Sequence, residues 1–327
     1  MNWQGRRVLV TGAGGFIGSH LVEHLVAEGA QTRALIRYTS GGSRGWLEES
    51  TARKNIEFAF GDLRDRDSFR HAMKGVDIVF HLGALIAIPY SYDAPLSYVE
   101  TNVVGTLNVL EAARTAGVGR VVHISTSETY GTARYVPIDE THPLQGQSPY
   151  SASKIGADML AQSYGYSFGQ EVVIIRPFNT FGPRQSTRAV IPTIISQALA
   201  CDRIRLGNLS PTRDLTFVSD TVLGILAIGS CDDAVGRTVN LGSGQEISVG
   251  DLTKLICRMI GREVPILTDA ERIRPENSEV QRLVSNNALA RELANWTPRT
   301  SFHDGLAATI AWIMRHLERY NFGQYTK

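Results

Sequence analysis

Residues 7–25, RVLVTGAGGFIGSHLVEHL, decide how the rest of the chain can fold. Val8, Leu9 and Val10 make a short apolar run that stops at Thr11, and apolar residues recur at helical spacing after Gly18. The stretch reads as strand, glycine turn, helix. Gly12, Gly15 and Gly18 suit three needs of a dinucleotide site: a tight turn, close approach of backbone to a pyrophosphate, and close contact of helix with sheet. Phe16 and Ile17 open the helix, whose free N–H groups and dipole attract phosphate. His20 and His24 stand four apart, a spacing a metal could use. With no third ligand beside them they read as an ordinary helix face, and no metal is expected.

Working outward, residues 32–36 form a second strand that ends where such folds place an acid for the ribose hydroxyls, roughly 20 residues past the glycines. Ile36 and Arg37 stand there instead, with Arg33 just upstream and a Gly- and Ser-rich loop after them. The Arg37 guanidinium either pairs with a 2′-phosphate, which favours NADP with NAD as the alternative, or points to water. Residues 56–60 read as a third strand. Asp62, before Leu63, either accepts a hydrogen bond from an adenine amine or caps a helix beginning near Asp65. A fourth strand over 76–82 ends in Leu82, Gly83 and Ala84, where backbone can approach a cofactor. The pattern then predicts one long helix over 98–116 and a fifth strand over 120–125. Such alternation with short connections implies an α/β fold with a doubly wound parallel sheet, the Rossmann arrangement, whose ligands sit at the C-terminal ends of the strands.

The chain has 327 residues, 43% of them hydrophobic, enough for two unequal lobes sharing a cleft. Lys plus Arg number 33 against 32 for Asp plus Glu, a net charge of +1, so neither nucleic acid nor a membrane surface is expected as a partner. Cys201, Cys231 and Cys257 are odd in number and lack metal-type spacing, as in a reduced intracellular protein. No apolar run approaches the roughly 20 residues of a membrane span and no signal peptide is read, so the expected location is the cytoplasm.

Residues 121–154, VVHISTSETYGTARYVPIDETHPLQGQSPYSASK, carry the reactive groups. An apolar strand ends on Thr126, Ser127 and Glu128, and a helix then opens with Tyr150 and Lys154. Residues four apart share a helix face, so the Lys154 ammonium can approach the Tyr150 ring and favour the phenolate. A phenol of ordinary pKa, about 10, would then act as a base near neutral pH. The alternative is a pair that merely shares a solvated face.

TGAGGFIG, the Gly61-Asp62-Leu63 turn, STSETYG, the Tyr150 to Lys154 spacing and Arg176-Pro177-Phe178-Asn179 together resemble the extended short-chain dehydrogenase/reductase family, in its nucleotide-sugar branch. The similarity covers nearly the whole chain, including Arg213-Asp214-Leu215, Asn240-Leu241-Gly242 and Arg274-Pro275-Glu276. It implies that Tyr150 takes the O4 proton of a hexose, that Thr126 bonds O4, and that Lys154 holds the cofactor ribose and lowers the tyrosine pKa. The cofactor would be tightly held and regenerated in each turnover. At Ser127-Glu128, 4-epimerases of this branch commonly carry small neutral residues and 4,6-dehydratases an acidic base, so Glu128 favours a dehydratase. Thr-Ser-Glu is similar to GDP-mannose 4,6-dehydratases, an NADP-using subgroup. Residues 88–92 and 135–154 look like dehydratases acting on nucleotide-linked N-acetylglucosamine in legionaminic-acid-type pathways. The rival enzyme is an NDP-sugar 4-epimerase. A dinucleotide-sensing protein without turnover is the rival outside catalysis, but a sensor needs only the glycine loop.

The expected division is a dinucleotide-binding domain over 1–178, a returning segment near 215–245, and a substrate lobe from 179–214 and 246–327. The resemblance makes Asn179 a sugar and diphosphate contact, puts Val190 on a helix bordering the base, and adds Pro89, Tyr90 and Ser91 to the sugar site. Arg213 and Arg274 either hold the substrate diphosphate or form surface ion pairs. Helices are expected over 248–260, 285–294 and 302–320, the last with Leu306, Ile310, Ile313 and Met314 inward. The helices over 98–116 and 149–168 resemble those that pair across a four-helix dimer interface, which implies a homodimer.

Overall fold

The computed structural model describes residues 3–322 and Tyr325. Its strands are β1 (Arg7–Thr11), β2 (Gln31–Arg37), β3 (Ile56–Gly61), β4 (Ile78–His81), β5 (Arg120–Ile124), β6 (Glu171–Pro177), β7 (Asn179–Phe181), β8 (Ile204–Leu206), β9 (Thr212–Phe217), β10 (Thr238–Leu241), β11 (Glu246–Ser248), β12 (Ile266–Thr268) and β13 (Arg282–Leu283). The helices are α1 (Phe16–Ala27), α2 (Phe69–Ala72), α3 (Ile88–Asp93), α4 (Pro95–Tyr98), α5 (Gly105–Ala116), α6 (Pro149–Phe168), α7 (Val190–Ala200), α8 (Val218–Ser230), α9 (Val249–Ile260), α10 (Ala288–Ala294) and α11 (Phe302–Arg315).

Seven parallel strands form the main sheet in the order β10-β6-β5-β4-β1-β2-β3. Helices cover both faces, so β4 and β5 are buried throughout and their apolar residues run without alternation, interrupted only by Arg120, His81 and His123. Leu21, Leu25, Val222, Ile225 and Trp296 fill one face. Phe69, Leu110, Ala161 and Tyr164 fill the other. Strand order reverses between β1 and β4, the switch point at which α/β sheets open a crevice.

The second layer is built on β9, which pairs in parallel with β7 and β13 and antiparallel with β11. β8 and β12 make a separate pair. Ile194, Ile195, Leu252, Ile256, Leu306 and Ile313 form its core. The chain returns to the main sheet twice: β10 adds the edge strand, and α10 with Trp296 packs beneath it. Asp214 pins the junction. Its carboxylate accepts from the N–H groups of Ser243, Gly244 and Ser285 at 2.8, 2.9 and 3.0 Å.

Several expected elements differ. The long helix over 98–116 is split into α4, a π-turn at Val99–Val104 and α5, preceded by the separate α3. Pro89 and Pro95 each start a segment, and in the π-turn Asn102 bonds both backbone groups of Leu85. The helix expected over 285–294 begins at Ala288, because Ser285 is held by Asp214 and bridged to Ile138. The last helix ends at Arg315, short of 320. Met314 is 58% exposed while Leu306, Ile310 and Ile313 are buried, so Met314 does not face inward. No helix among the described residues is long and apolar enough to cross a membrane.

Replacing Asp214 by Ala leaves three N–H donors without their acceptor, the Ser285 N–H buried and those of Ser243 and Gly244 partly so. The expected cost is on the order of 3–5 kcal/mol in chemical denaturation, with little change for a surface control such as Asp202→Ala.

Candidate active site

One cleft of about 1010 Å³ opens at the C-terminal ends of the main sheet and runs down to the second layer. The glycine turn forms its floor. Gly12 has φ of +68°, and a Cβ on it would lie 2.8 Å from the Gly83 nitrogen. A Cβ on Gly18 would lie 2.2 Å from the Gly12 carbonyl oxygen, so helix and turn can close only on glycine. Gly15 is exposed and meets nothing nearer than 3.2 Å; a side chain there would fill the cleft itself. Phe16 and Ile17 start α1 at this floor, with Leu63, Leu82 and Ala84 across from them. A cradle of bare backbone ending in a helix N-terminus fits a dinucleotide pyrophosphate.

At the end of β2 the Arg37 side chain is 72% exposed, lines the cleft, and stands 4.0 Å from Asp62. Asp62 accepts from the backbone N–H and guanidinium of Arg64 at 2.8–3.0 Å, which pulls its pKa down to about 2. It caps no helix: Asp65 does, accepting from the Asp67 N–H. Arg33 faces away, paired with Glu57 and bonded to the Ala72 carbonyl. The His20 ring is tied to the Pro183 carbonyl and burial drops its pKa to about 4. Among the described residues no cluster of three His, Cys, Asp or Glu could hold a metal.

β5 delivers Thr126, Ser127 and Glu128 to the cleft wall. Thr126 Oγ1 accepts from the Glu128 N–H at 3.2 Å and starts a tight turn, so the strand stops and Glu128 is left bordering the cleft. Ser127 is 2% exposed. Opposite, α6 opens on Pro149 with a reciprocal cap between Ser148 and Ser151, and this fixes Tyr150 in the first turn. Tyr150 and Lys154 share the buried helix face, 6% and 3% exposed.

Their electrostatics differ from the expectation. Lys154 Nζ donates to the Ile124 carbonyl at 2.8 Å rather than to the phenol, and burial lowers its pKa to about 8. Burial raises the Tyr150 phenol, and the Glu128 and Asp158 carboxylates push the same way, outweighing the Thr126 hydroxyl. The lysine therefore does not bring the tyrosine down in this state. A phenol enclosed among apolar rings and carboxylates resists ionisation more than a cation four residues away relieves it.

Arg213 and Arg274 reach the far end of the cleft and converge on Glu279 Oε1 at 3.6 and 3.5 Å. Burial lowers the Arg213 pKa, while attraction to Glu128 and Glu279 opposes the fall. They are enclosed rather than surface charges, at 11% and 26% side-chain exposure. Asn179 ends the β6–β7 turn with a buried Oδ1 that has no hydrogen-bond partner, and Val190 starts α7 on the same wall. Pro89 and Tyr90 line the cleft. Ser91 does not: it is fully buried and its hydroxyl donates to the Ile88 carbonyl within α3. Sequence reading passed over Arg64, Arg188, Asn208 and Arg272, which also line this cleft, Arg272 lying 4.6 Å over the Tyr325 ring. All four sit outside periodic segments; only their positive charge or turn chemistry could have drawn notice.

Fold and cleft define the class, a nicotinamide-dinucleotide-dependent α/β enzyme. The chain belongs to the family described as GDP-mannose 4,6 dehydratase, whose model matches residues 9–309, and so to the extended short-chain dehydrogenase/reductase nucleotide-sugar dehydratases and epimerases. It is 34% identical to a UDP-glucose 4-epimerase of Mycolicibacterium smegmatis, over 93% of this chain and 97% of that one. It is 33% identical to a dTDP-glucose 4,6-dehydratase of an Actinoplanes species, over 94% and 97%. The crystal structure of a dTDP-glucose 4,6-dehydratase from Streptomyces venezuelae with NAD bound matches with a TM-score of 0.88 and 31% identity, over 96% of this chain and 99% of that one.

Proposed function

We propose that the chain is a nucleotide-sugar 4,6-dehydratase, converting an NDP-hexose to the NDP-4-keto-6-deoxy sugar. The observation that carries the reading is Glu128, a carboxylate held on the cleft wall beside Thr126 and across from Tyr150. A C5 hydrogen is not acidic and a C6 hydroxyl leaves poorly until C4 is a ketone. A nicotinamide bound over the glycine turn would supply a hydride acceptor for C4 and a hydride donor for C6. Thr126 bonds O4 and Tyr150 takes its proton. Glu128 then removes the C5 proton, now alpha to the ketone, and hands a proton to the departing C6 hydroxyl, because Ser127 has no acid to give. Water leaves, C6 would receive the stored hydride, and C5 takes a proton from solvent in balance with the O4 proton that Tyr150 releases. Arg213 and Arg274 exchange their shared Glu279 for the substrate diphosphate, and Asn179 Oδ1 finds its partner on the sugar. The resemblance of residues 88–92 and 135–154 supports NDP-N-acetylglucosamine as the hexose.

The second reading, a 4-epimerase, is favoured by the name of the 34% identical Mycolicibacterium relative. Mass separates the two: a panel of UDP-, GDP- and dTDP-sugars should yield a product lighter by one water. Glu128→Gln should retain C4 oxidation, seen as reduced-nicotinamide absorbance, and lose elimination by roughly 100-fold or more. Arg213→Ala in the same assay should raise KM about tenfold or more. A C4 epimer of unchanged mass, or normal turnover by Glu128→Gln, overturns the dehydratase reading.

For the cofactor we propose NADP, on the exposed Arg37 and the lack of a carboxylate at the end of β2; NAD, bound in the Streptomyces structure, is the alternative. Denatured protein should release mainly NADP, and Arg37→Ala should weaken NADP about tenfold while leaving NAD unchanged. Equal retention of the two by the wild type would reject this.

A homodimer is proposed from exposed apolar residues on adjoining helices, Val99 and Val104 in the π-turn and Met159, Tyr166 and Phe168 on α6, at 40–84% exposure. Sedimentation should give twice the 35.8 kDa chain mass. Monomers persisting at micromolar concentration would contradict it.

A further inference from the structure

Tyr150, Lys154 and Asp158 follow at intervals of four along α6, so their side chains share one face. Asp158 lies deepest and is fully buried. Its Oδ2 accepts from Ser125 Oγ at 2.9 Å and from Arg176 Nη2 and Nε at 2.9 and 3.1 Å. Its Oδ1 stands 3.2 Å from His123 Nε2. The Lys154 ammonium is anchored one residue away from Ser125, on the Ile124 carbonyl. A carboxylate taken wholly out of water is costly unless cations face it, and two do: Arg176 from β6 and Lys154 from its own helix.

The remaining groups around this column do not cancel that charge. Burial lowers the pKa of His123 on β5 and of His81 on β4, so both imidazoles are neutral at neutral pH, and the His81 nitrogens are taken by Thr11 and Thr106. Tyr98 on α4 and Glu128 beyond the strand end are the other ionisable groups that act on Tyr150. Within the column behind Tyr150 two cations face the one Asp158 carboxylate, while the Glu128 carboxylate acts on the phenol from the cleft side.

We propose that Asp158 is a positioning residue for C4 oxidation, the buried counter-charge that keeps the Lys154 ammonium protonated and fixed behind Tyr150. This rests on Tyr150 and Lys154 being the oxidising pair, which the dehydratase and epimerase readings share. Without Asp158 two cations would face each other out of water. Arginine cannot shed its proton and lysine can, so Lys154 would become the neutral amine. Burial lowers the Lys154 pKa to about 8, and attraction to the Asp158 carboxylate opposes the fall. A lower pKa would carry deprotonation into the working range.

The test uses the full chain and no substrate. The sequence has five lysines, Lys54, Lys74, Lys154, Lys254 and Lys327, so ¹³C-labelled lysine can be followed by NMR, with Lys154 assigned by its loss in Lys154→Met. Asp158→Asn should lower the Lys154 midpoint by about one pH unit or more, and Asp158→Glu, which restores the charge, should return it. In activity the alkaline limb of kcat/KM should move down with the NMR midpoint. If folded Asp158→Asn keeps the wild-type midpoint and loses only amplitude or Tm, Asp158 is a structural clamp and the proposal fails. If Asp158→Asn does not fold, Arg176→Gln decides with the opposite sign: removing the competing cation should raise the Lys154 midpoint, and an unchanged or lower value overturns the proposal. Failure of both variants to fold assigns Asp158 to the scaffold and overturns it too. A shifted midpoint in a protein that oxidises no NDP-sugar would leave only the Asp158–Lys154 charge coupling standing and would reject the functional reading, and with it the role of Asp158 in C4 oxidation.

Discussion

The cleft depends on one helix face that should not, by simple hydrophobicity, be buried. α6 turns Tyr150, Ser151, Ser153, Lys154 and Asp158 inward, against the ends of β5 and β6. Four of the five have named partners: Ser151 in the cap with Ser148, Ser153 on the Tyr150 carbonyl and Asn102, Lys154 on the Ile124 carbonyl, and the Asp158 Oδ2 with Ser125 and Arg176. A buried polar face is tolerated when most of its bonds are made, and making them allows few alternatives. This is why the reactive groups stand in one register relative to the strand ends. The π-turn belongs to the same arrangement, since it carries the Asn102 that ties Leu85 to Ser153.

The two halves of the cleft carry different electrostatics. Near α6 a lysine, an arginine and an aspartate are enclosed with two neutral imidazoles, a setting in which moving one proton is costly or cheap according to its neighbours. At the far end Arg213 and Arg274 share a single Glu279 oxygen at long range. That loose sharing leaves guanidinium donors available to an oxyanion of better geometry. Glu128 sits between the halves, beside Thr126 and attracted to Arg213. A whole-chain charge of +1 conceals both arrangements, because enclosed pairs cancel in the sum and not in space.

Much of the fold was legible in the residues. Val8 to Val10, the run at Ile78 to Phe80 and the strand before Thr126 are apolar because both faces of the sheet are covered, and that local cause leaves a local trace. The glycines of the first turn are legible for a similar reason: only a residue without Cβ can stand where Gly18 meets Gly12. Tyr150 and Lys154 are legible as a pair because helical spacing is a property of the backbone alone. The short strands of the second layer left no such mark. β7, β8, β11, β12 and β13 have two or three residues each, too few for a period, and exist because β9 or a neighbour pairs with them.

By itself, then, the sequence determined the parallel sheet, the glycine cradle and which side chains share a helix face, since each follows from sterics or periodicity within a few residues. Tertiary structure decided what depends on distant partners. Ser285 stays out of α10 because Asp214, 71 residues earlier, takes its N–H. Ser91 turns from the cleft to the carbonyl of Ile88. The ammonium of Lys154 bonds a strand carbonyl 30 residues away instead of its helical neighbour, and the Tyr150 phenol rises in pKa rather than falling. Burial sets the cost of a charge, and burial is a property of everything packed around a residue, which no spacing within one segment can express.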